Sequence, residues 1–383
     1  MKPDKLNLPV TDIHCFSFPP TPKLTRGSLA RVFMAGGPTV MSLSQRVEEN
    51  ELQATVAYRR MIQRLSLLLG RNEDDASVLS RRNAKARDFP RYLQLLFDDA
   101  GIEAMALDNG LESVSFDEFR KYAPGNLHRI FRIEPLLKHL LESSKTFDAL
   151  FESFDETIRS AVKKEGFAAF KSVIAYRTGL DVGAPDEREA RRSFRAYRSG
   201  DEVVEWFGPR VKPVRDFLLY HVAERARSLG VFLEIHTGLG DTDIVADRCD
   251  PLLLKNFLRQ EAVLKVPVVL IHGGFPNTAG AAWLANVFPN VYFELSTPLP
   301  PYFLPPLSGS RFKEVLEMVP VTRIVYGSDS HDIPEMHWLS AKLAKEALAE
   351  AMGELVEERV MDEGEVAAAS RRIMSENAVS LLK

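Results

Sequence analysis

Val231-Phe232-Leu233-Glu234-Ile235-His236 is a short apolar run that ends on a histidine and opens into Thr237-Gly238-Leu239-Gly240-Asp241. Pro267-Val268-Val269-Leu270-Ile271-His272 repeats the pattern and runs into Gly273-Gly274. Runs of this length, rich in β-branched residues and followed by glycine, read as buried strands. Residues 212–229 before the first run and 250–264 between the two have the apolar spacing of amphipathic helices. Helix and strand in alternation predict a mainly parallel sheet.

Working outward, six more such runs cover residues 10–16, 104–108, 130–134, 167–174, 291–296 and 323–329, several of them ending in a polar residue. Eight units predict an α/β chain folded as a (β/α)₈ TIM barrel with its chemistry at the C-terminal rim. An open doubly wound sheet is the rival, but it would carry a glycine-rich phosphate loop after its first strand, and none follows Asp12-Ile13-His14-Cys15-Phe16. The connection from the first to the second strand is too long for one crossover. Its residues 42–97, rich in Leu, Arg, Glu and Ala at helical spacing, predict a helical insertion or cap over the mouth, within a single domain spanning 1–383. Ser115-Phe116-Asp117-Glu118 has capping-box spacing and predicts a helix start. Residues 335–382 read as helix that closes the outer ring.

The 383 residues are 45% hydrophobic and 27% charged, which gives ample material for a core. A net charge of −4, with no basic run interleaved with aromatics, argues against a nucleic-acid partner. No apolar run approaches the roughly 18 residues of a membrane span. Two cysteines, Cys15 and Cys249, and no signal-like opening segment lead us to expect a cytoplasmic protein.

Three of the eight histidines, His14, His236 and His272, fall on or at the end of separate strands, and Asp329 ends a fourth within Tyr326-Gly327-Ser328-Asp329-Ser330-His331. A lone strand-end histidine is more often a packed, hydrogen-bonded residue than a ligand, but the ends of parallel barrel strands converge on one mouth. Imidazole and carboxylate are ligands that zinc and similar cations take, and a catalytic site needs about three of them and an open position for water. Asp329 then suits acceptance of the water's proton, and His272 the role of a polarising group or acid; the plain alternative for Asp329 is a helix N-cap. Arg132 and Arg177, near two other strand ends, carry the guanidinium fork that suits a substrate carboxylate, although surface ion pairs account for most arginines. Lys171 in the fourth strand is a further pocket candidate, against a barrel-interior lysine paired with a carboxylate. Asp108 with Asn109-Gly110 suits a turn. Glu134 and Glu294 carry no distinguishing signal, and His331 and His337 lie just beyond Asp329.

His14, His236-Thr237-Gly238, Leu270-Ile271-His272-Gly273-Gly274 and Gly327-Ser328-Asp329 together resemble the amidohydrolase superfamily. The likeness is to its amidohydrolase-related branch, which includes aminocarboxymuconate-semialdehyde decarboxylase and the amidohydrolase-like domain fused to glutamine synthetase. It runs from Asp12 to about Leu382 and is weakest in the insertion. The resemblance implies a mononuclear divalent site, zinc by expectation, with His14, His236 and Asp329 as ligands and His272 working beside the metal. It also marks Lys171 as the position where some members carry a metal-bridging carboxylated lysine. The family's first strand usually ends in His-x-His, and here the second position is Phe16. Residues two apart on a strand share a face, so Phe16 takes a ligand's place, while Cys15 points away.

The expected function is hydrolysis of an amide or related C–N bond in a small polar substrate by a metal-activated water. A non-oxidative decarboxylase and a metal-free binding or assembly module are the alternatives. The expected partner is a small-molecule substrate, with neither nucleic acid nor membrane, and homo-oligomerisation is left open.

Overall fold

The computed structural model describes residues 8–33, 49–70, 74–199, 208–241, 243–296 and 309–383. Eight parallel strands pair in chain order: β1 Val10–Cys15, β2 Ile102–Asp108, β3 Asn126–Arg132, β4 Phe167–Ser172, β5 Phe232–His236, β6 Val268–Ile271, β7 Val291–Glu294 and β8 Ile324–Val325. Backbone hydrogen bonds close the ring from β1 to the segment after β8. Ile13 N–H donates to Tyr326 O (3.0 Å), Asp329 N–H to His14 O (2.9 Å) and Phe16 N–H to Ser330 O (2.9 Å). The result is a nearly closed TIM barrel, as the eight strand-like runs predict.

Alternation packs the interior. Ile13, Ala106, Ile130, Ala169, Phe232, Val269 and Val325 are all buried and form one cluster, with Leu381 and Leu382 packed against it. Fully burying a large aliphatic or aromatic side chain contributes about 1.5–3 kcal/mol. β1 departs from strict alternation. Asp12 pairs with Met105 and Cys15 with Leu107, so three steps on β1 match two on β2. This bulge sends Ile13 into the barrel interior and Cys15 into the separate core beneath the helices.

The helix Lys212–Leu229 appears at its expected bounds, ended by Gly230 in the left-handed region (φ 72°). Several elements differ from expectation; the last strand-like run keeps only Ile324–Val325 as strand, and the helix expected over 335–382 is divided after Glu357. Residues 250–264 break into Pro251–Leu254, Lys255–Leu258 and Glu261–Leu264, because Gln260 takes an extended conformation between the last two. β3 stops at Arg132, and Glu134 enters the helix Ile133–Ser143, where its carboxylate accepts from Ser172 Oγ (2.7 Å) and Val173 N (2.8 Å). β6 stops at Ile271, leaving His272 at the start of a short 3₁₀ turn. Ser115 caps its helix through Glu118 N–H, as the spacing predicts.

Of the expected insertion, residues 42–48 and 71–73 lie outside the described residues. The remainder forms Glu49–Gln53, Val56–Leu69, Asp75–Lys85 and Phe89–Ala100, and shares the core that surrounds the barrel. Arg82 and Glu335, both fully buried, pair at 2.5 Å (Nε to Oε1), and Tyr92 Oη donates to the same carboxylate at 2.8 Å. Arg82 also donates to Thr21 O. The segment is thereby pinned where the loop after β1 meets the helix Pro334–Glu357. No helix among the described residues is long and apolar enough to cross a membrane.

Candidate metal centre

The bulge in β1 turns His14 toward the barrel mouth. Its Nε2 lies 2.9 Å from Asp329 Oδ1 and 2.9 Å from Lys171 Nζ. One ring nitrogen cannot accept from an amine and donate to a carboxylate at once. One of the two contacts therefore sets like against like, a conflict that a cation among these groups would resolve. His14, His272 and Asp329 each offer a ligand atom, and the three atoms lie within 4.8 Å of one another.

His272 is held on three sides. Its N–H donates to Glu294 Oε2 (2.8 Å), its Nδ1 meets Ser296 Oγ (2.9 Å), and its Nε2 meets His236 Nδ1 (3.0 Å). Ser296 Oγ donates to Glu294, so it accepts from His272 Nδ1. His272 Nε2 then accepts from His236 Nδ1, which leaves His236 Nε2 as a bare lone pair. That atom is buried and has no hydrogen-bond partner. A relay that fixes the tautomer and presents an unprotonated nitrogen is what a metal-ligating imidazole requires.

The electrostatics agree. Burial, then Lys171, pushes the His236 imidazole down to about 3, and burial holds His14 and His272 below the usual histidine range. Burial opposes the charge on Asp329, but His272 and His14 outweigh it and hold the carboxyl well below the usual carboxylate range. Asp329 keeps 21% side-chain exposure while His14 has none, so it is the member most open to solvent. His272 and Asp329 sit at φ 71° and 52°, left-handed backbone that is tolerated by Asp and His but strained. Ile333, not Asp329, is the N-cap of the following helix.

Thr237 locks the neighbouring strand ends, donating to Ile271 O (2.7 Å) and accepting from Gly274 N (3.1 Å). Gly238 (φ 76°) must be glycine here, since a Cβ would stand 2.2 Å from Phe275 O.

Lys171 Nζ pairs with Asp108 Oδ2 at 2.8 Å, the carboxylate-paired arrangement weighed for it above. Arg132 Nε lies 3.1 and 3.0 Å from the two Asp108 oxygens, and its Nη2 also donates to that carboxylate, so much of its fork is taken up within the protein. Asp108 does make the turn, accepting from Gly110 N at 2.7 Å, and anchors both cations as well. Arg177 follows the turn after β4, donates to Tyr176 O (3.1 Å), and has Glu134 and Arg132 as charged neighbours. Phe16 is buried in the site. Its ring centroid is 5.5 Å from that of His14 and 6.2 Å from that of His331, with Lys171 Nζ 5.2 Å away.

Four groups carried no signal strong enough to single them out. Glu234 is fully buried with neither oxygen hydrogen-bonded, 3.6 Å from His14 Nδ1, and burial pushes its carboxyl well up. Its parity with His236 on β5 is the clue that points it inward. Glu294, pushed up to about 8 by burial, and Ser296 form the relay under His272. Tyr176 meets His236 edge to face, with ring centroids 4.7 Å apart, and accepts from Asp241 N (3.0 Å).

Comparison with known proteins fits this geometry. Protein fluG of Emericella nidulans is 30% identical over 347 residues, 83% of this chain, and the chain spans 40% of that relative's length. A crystal structure from Lactobacillus casei, provisionally described as a metal-dependent hydrolase, is 25% identical with a TM-score of 0.84, covering 99% of this chain and 96% of that one. Uronate isomerase of Thermotoga maritima shares the fold at 14% identity and a TM-score of 0.71, covering 100% of this chain and 96% of that one. The family profile described as amidohydrolase matches residues 148–383, more than half of the sequence, and the chain therefore belongs to the amidohydrolase family.

Proposed function

We propose that this protein is a divalent-metal-dependent hydrolase acting on an amide or related C–N bond of a small polar substrate. The observation that carries the reading is the convergence of donor atoms from His14, His272 and Asp329 within 4.8 Å, with His236 hydrogen-bonded to His272 through Nδ1 and its Nε2 unpaired. The resemblance to the Lactobacillus casei protein, described provisionally as a metal-dependent hydrolase, supports it.

In this reading His14, His236 through Nε2, and Asp329 hold the cation, zinc by preference. A divalent cation there supplies Lewis acidity and lowers the pKa of a coordinated water. Asp329, ionised and partly open to solvent, takes up a proton at its carboxylate. His272, with Nδ1 tied to Ser296 and Nε2 to His236 Nδ1, polarises the substrate or passes a proton through Nε2 only when its hydrogen bond to His236 opens. Arg177 and the uncommitted part of Arg132, with Lys171, orient the polar end of the substrate. Phe16 supplies an apolar wall that keeps bulk water from the reacting group.

The clustering of His272 with His14 and Asp329 favours a second assignment, in which His272 itself ligates. Metal content and turnover of His236→Ala and His272→Ala separate the two. We expect His236→Ala to lose most of its metal, and His272→Ala to keep metal while losing activity. The reverse pattern selects the second assignment, and full metal with full activity in both variants defeats the reading. Carbon dioxide release in a screen of small polar substrates would point to a decarboxylase instead.

A further inference from the structure

Asp12 and Cys15 are three apart on β1, which in an uninterrupted strand would set them on opposite faces. The bulge between them removes that alternation and brings both side chains to one buried cluster with His337, from the first turn of the helix Pro334–Glu357. All three are at most 1% exposed, and one ligand atom from each lies within 4.8 Å of the others. His337 Nδ1 is 3.9 Å from Asp12 Oδ2.

The polar atoms of this cluster are largely unpartnered. Asp12 Oδ2, both ring nitrogens of His337 and the neighbouring Tyr326 hydroxyl have no hydrogen bond. The Cys15 thiol has one long contact, to Ala106 O at 3.5 Å. Burial pushes the Tyr326 phenol well up, with Asp12 and Cys15 adding to it. Each unsatisfied buried group costs about 1–3 kcal/mol, so this many in one place call for an occupant.

We propose that Asp12, Cys15 and His337 form a second, structural cation site that takes a divalent ion of the zinc class. The donors are one carboxylate, one thiol and one imidazole, the three side-chain types that zinc binds. A water molecule would donate to Asp12 Oδ2 and one His337 nitrogen and accept from the Cys15 thiol, so water is the rival occupant, distinguished by leaving the sulfur protonated. A cation engages all three and displaces the thiol proton to solvent. The site lies apart from the mouth, because the ligand atoms of Asp12 and Cys15 group with His337 whereas His14 contacts Lys171 and Asp329. It is nevertheless coupled to the mouth, since Asp12 Oδ1 accepts from Ser328 N (2.9 Å) and His14 N (3.3 Å). A cation on the other Asp12 oxygen clamps β1 to the helix and stiffens the seam that carries His14 and Asp329.

Cobalt is the probe, introduced during expression of the full chain because the site is closed to solvent once folded. The mouth offers nitrogen and oxygen donors only, so a thiolate-to-cobalt charge-transfer band in the near ultraviolet reports the second site alone. We expect that band in the wild type, and a sulfur scatterer at about 2.3 Å in X-ray absorption. Cys15→Ser and His337→Gln should lower the cobalt content by about one ion per chain, with the band lost in the first. Cys249→Ser, whose native thiol bonds Ala246 O, should keep it. His236→Ala should keep it as well, even if the mouth loses its metal. A cobalt-loaded wild type without a sulfur band, or a band that survives in Cys15→Ser, overturns the proposal. The first of these is read on the native protein and does not depend on any variant folding.

Discussion

Lys171 Nζ lies 2.8 Å from Asp108 Oδ2, with both side chains almost wholly removed from solvent. Arg132 shares the same carboxylate, so one anion balances two cations at the edge of the site. Burial opposes the Asp108 charge, but Arg132 and Lys171 outweigh it and hold the carboxyl well below its usual range. Removing one partner of a buried pair costs about 3–5 kcal/mol, and Asp108→Asn should lose stability of that order in denaturant unfolding. The sign of its pH dependence is fixed. A depressed folded pKa adds stability in full above the unfolded value of about 3.9, and that stability fades as pH falls below it. The wild type should therefore converge on Asp108→Asn as pH drops below about 4, and a gap that widens on acidification would contradict this account.

Phe16 stands among His14, Lys171 and His331, where the resemblance places a second strand-one histidine. Phe16→His should tighten zinc binding by about tenfold or more, roughly 1.4 kcal/mol, in calorimetric titration of metal-stripped protein. Unchanged affinity would mean that Lys171 or His331 already governs that vertex.

The buried Arg82–Glu335 pair ties the segment between β1 and β2 to the helix Pro334–Glu357. Arg82→Leu leaves the Glu335 carboxylate without its cation and should cost about 3–5 kcal/mol. Adding Glu335→Gln should recover a good part of that loss. If the double variant is as unstable as the sum of the two singles, the two residues are not coupled in the way their geometry indicates.

Lys345 Nζ donates to Leu8 O (2.6 Å) and Ala100 O (2.7 Å), and burial pushes the amine down to about 8. Below that pH the lysine is charged in both folded and unfolded chains, and the cost of burying the charge is present in full. Between about 8 and the unfolded value of about 10.4 only the unfolded chain holds the proton, so this group makes stability rise with pH. Unfolding free energies of wild type and Lys345→Met across pH 7 to 10.5 should show that rise in the wild type only. Parallel curves would show that Lys345 stays charged in the fold.

The barrel and the meeting of His14, Lys171, His236, His272 and Asp329 were legible because strand ends need only local pattern, and a closed parallel sheet does the rest. Two kinds of feature were not. The β1 bulge breaks the two-residue period on which inward and outward assignments depend, so nothing in Thr11-Asp12-Ile13-His14-Cys15 announced that Asp12 and Cys15 would share a cluster. The commitments of Arg132 to Asp108, and of Ser296 to Glu294 and His272, are contacts between side chains that approach only once neighbouring strands are in register. Residues 250–264 carry helical spacing, but spacing alone does not report the extended Gln260 that divides them.

Among the hydrogen bonds that close the ring, the one between His14 and Asp329 joins positions 315 residues apart, one on each side of the seam. On a ribosome, His14 emerges long before its partner exists. A nascent chain that has not yet reached β8 can pair seven strands but cannot complete the mouth, so cation capture there waits on nearly the whole of synthesis. Until then the open edges of β1 and β7 are exposed to wrong pairing, and the interval before closure is when a chaperone has most to protect.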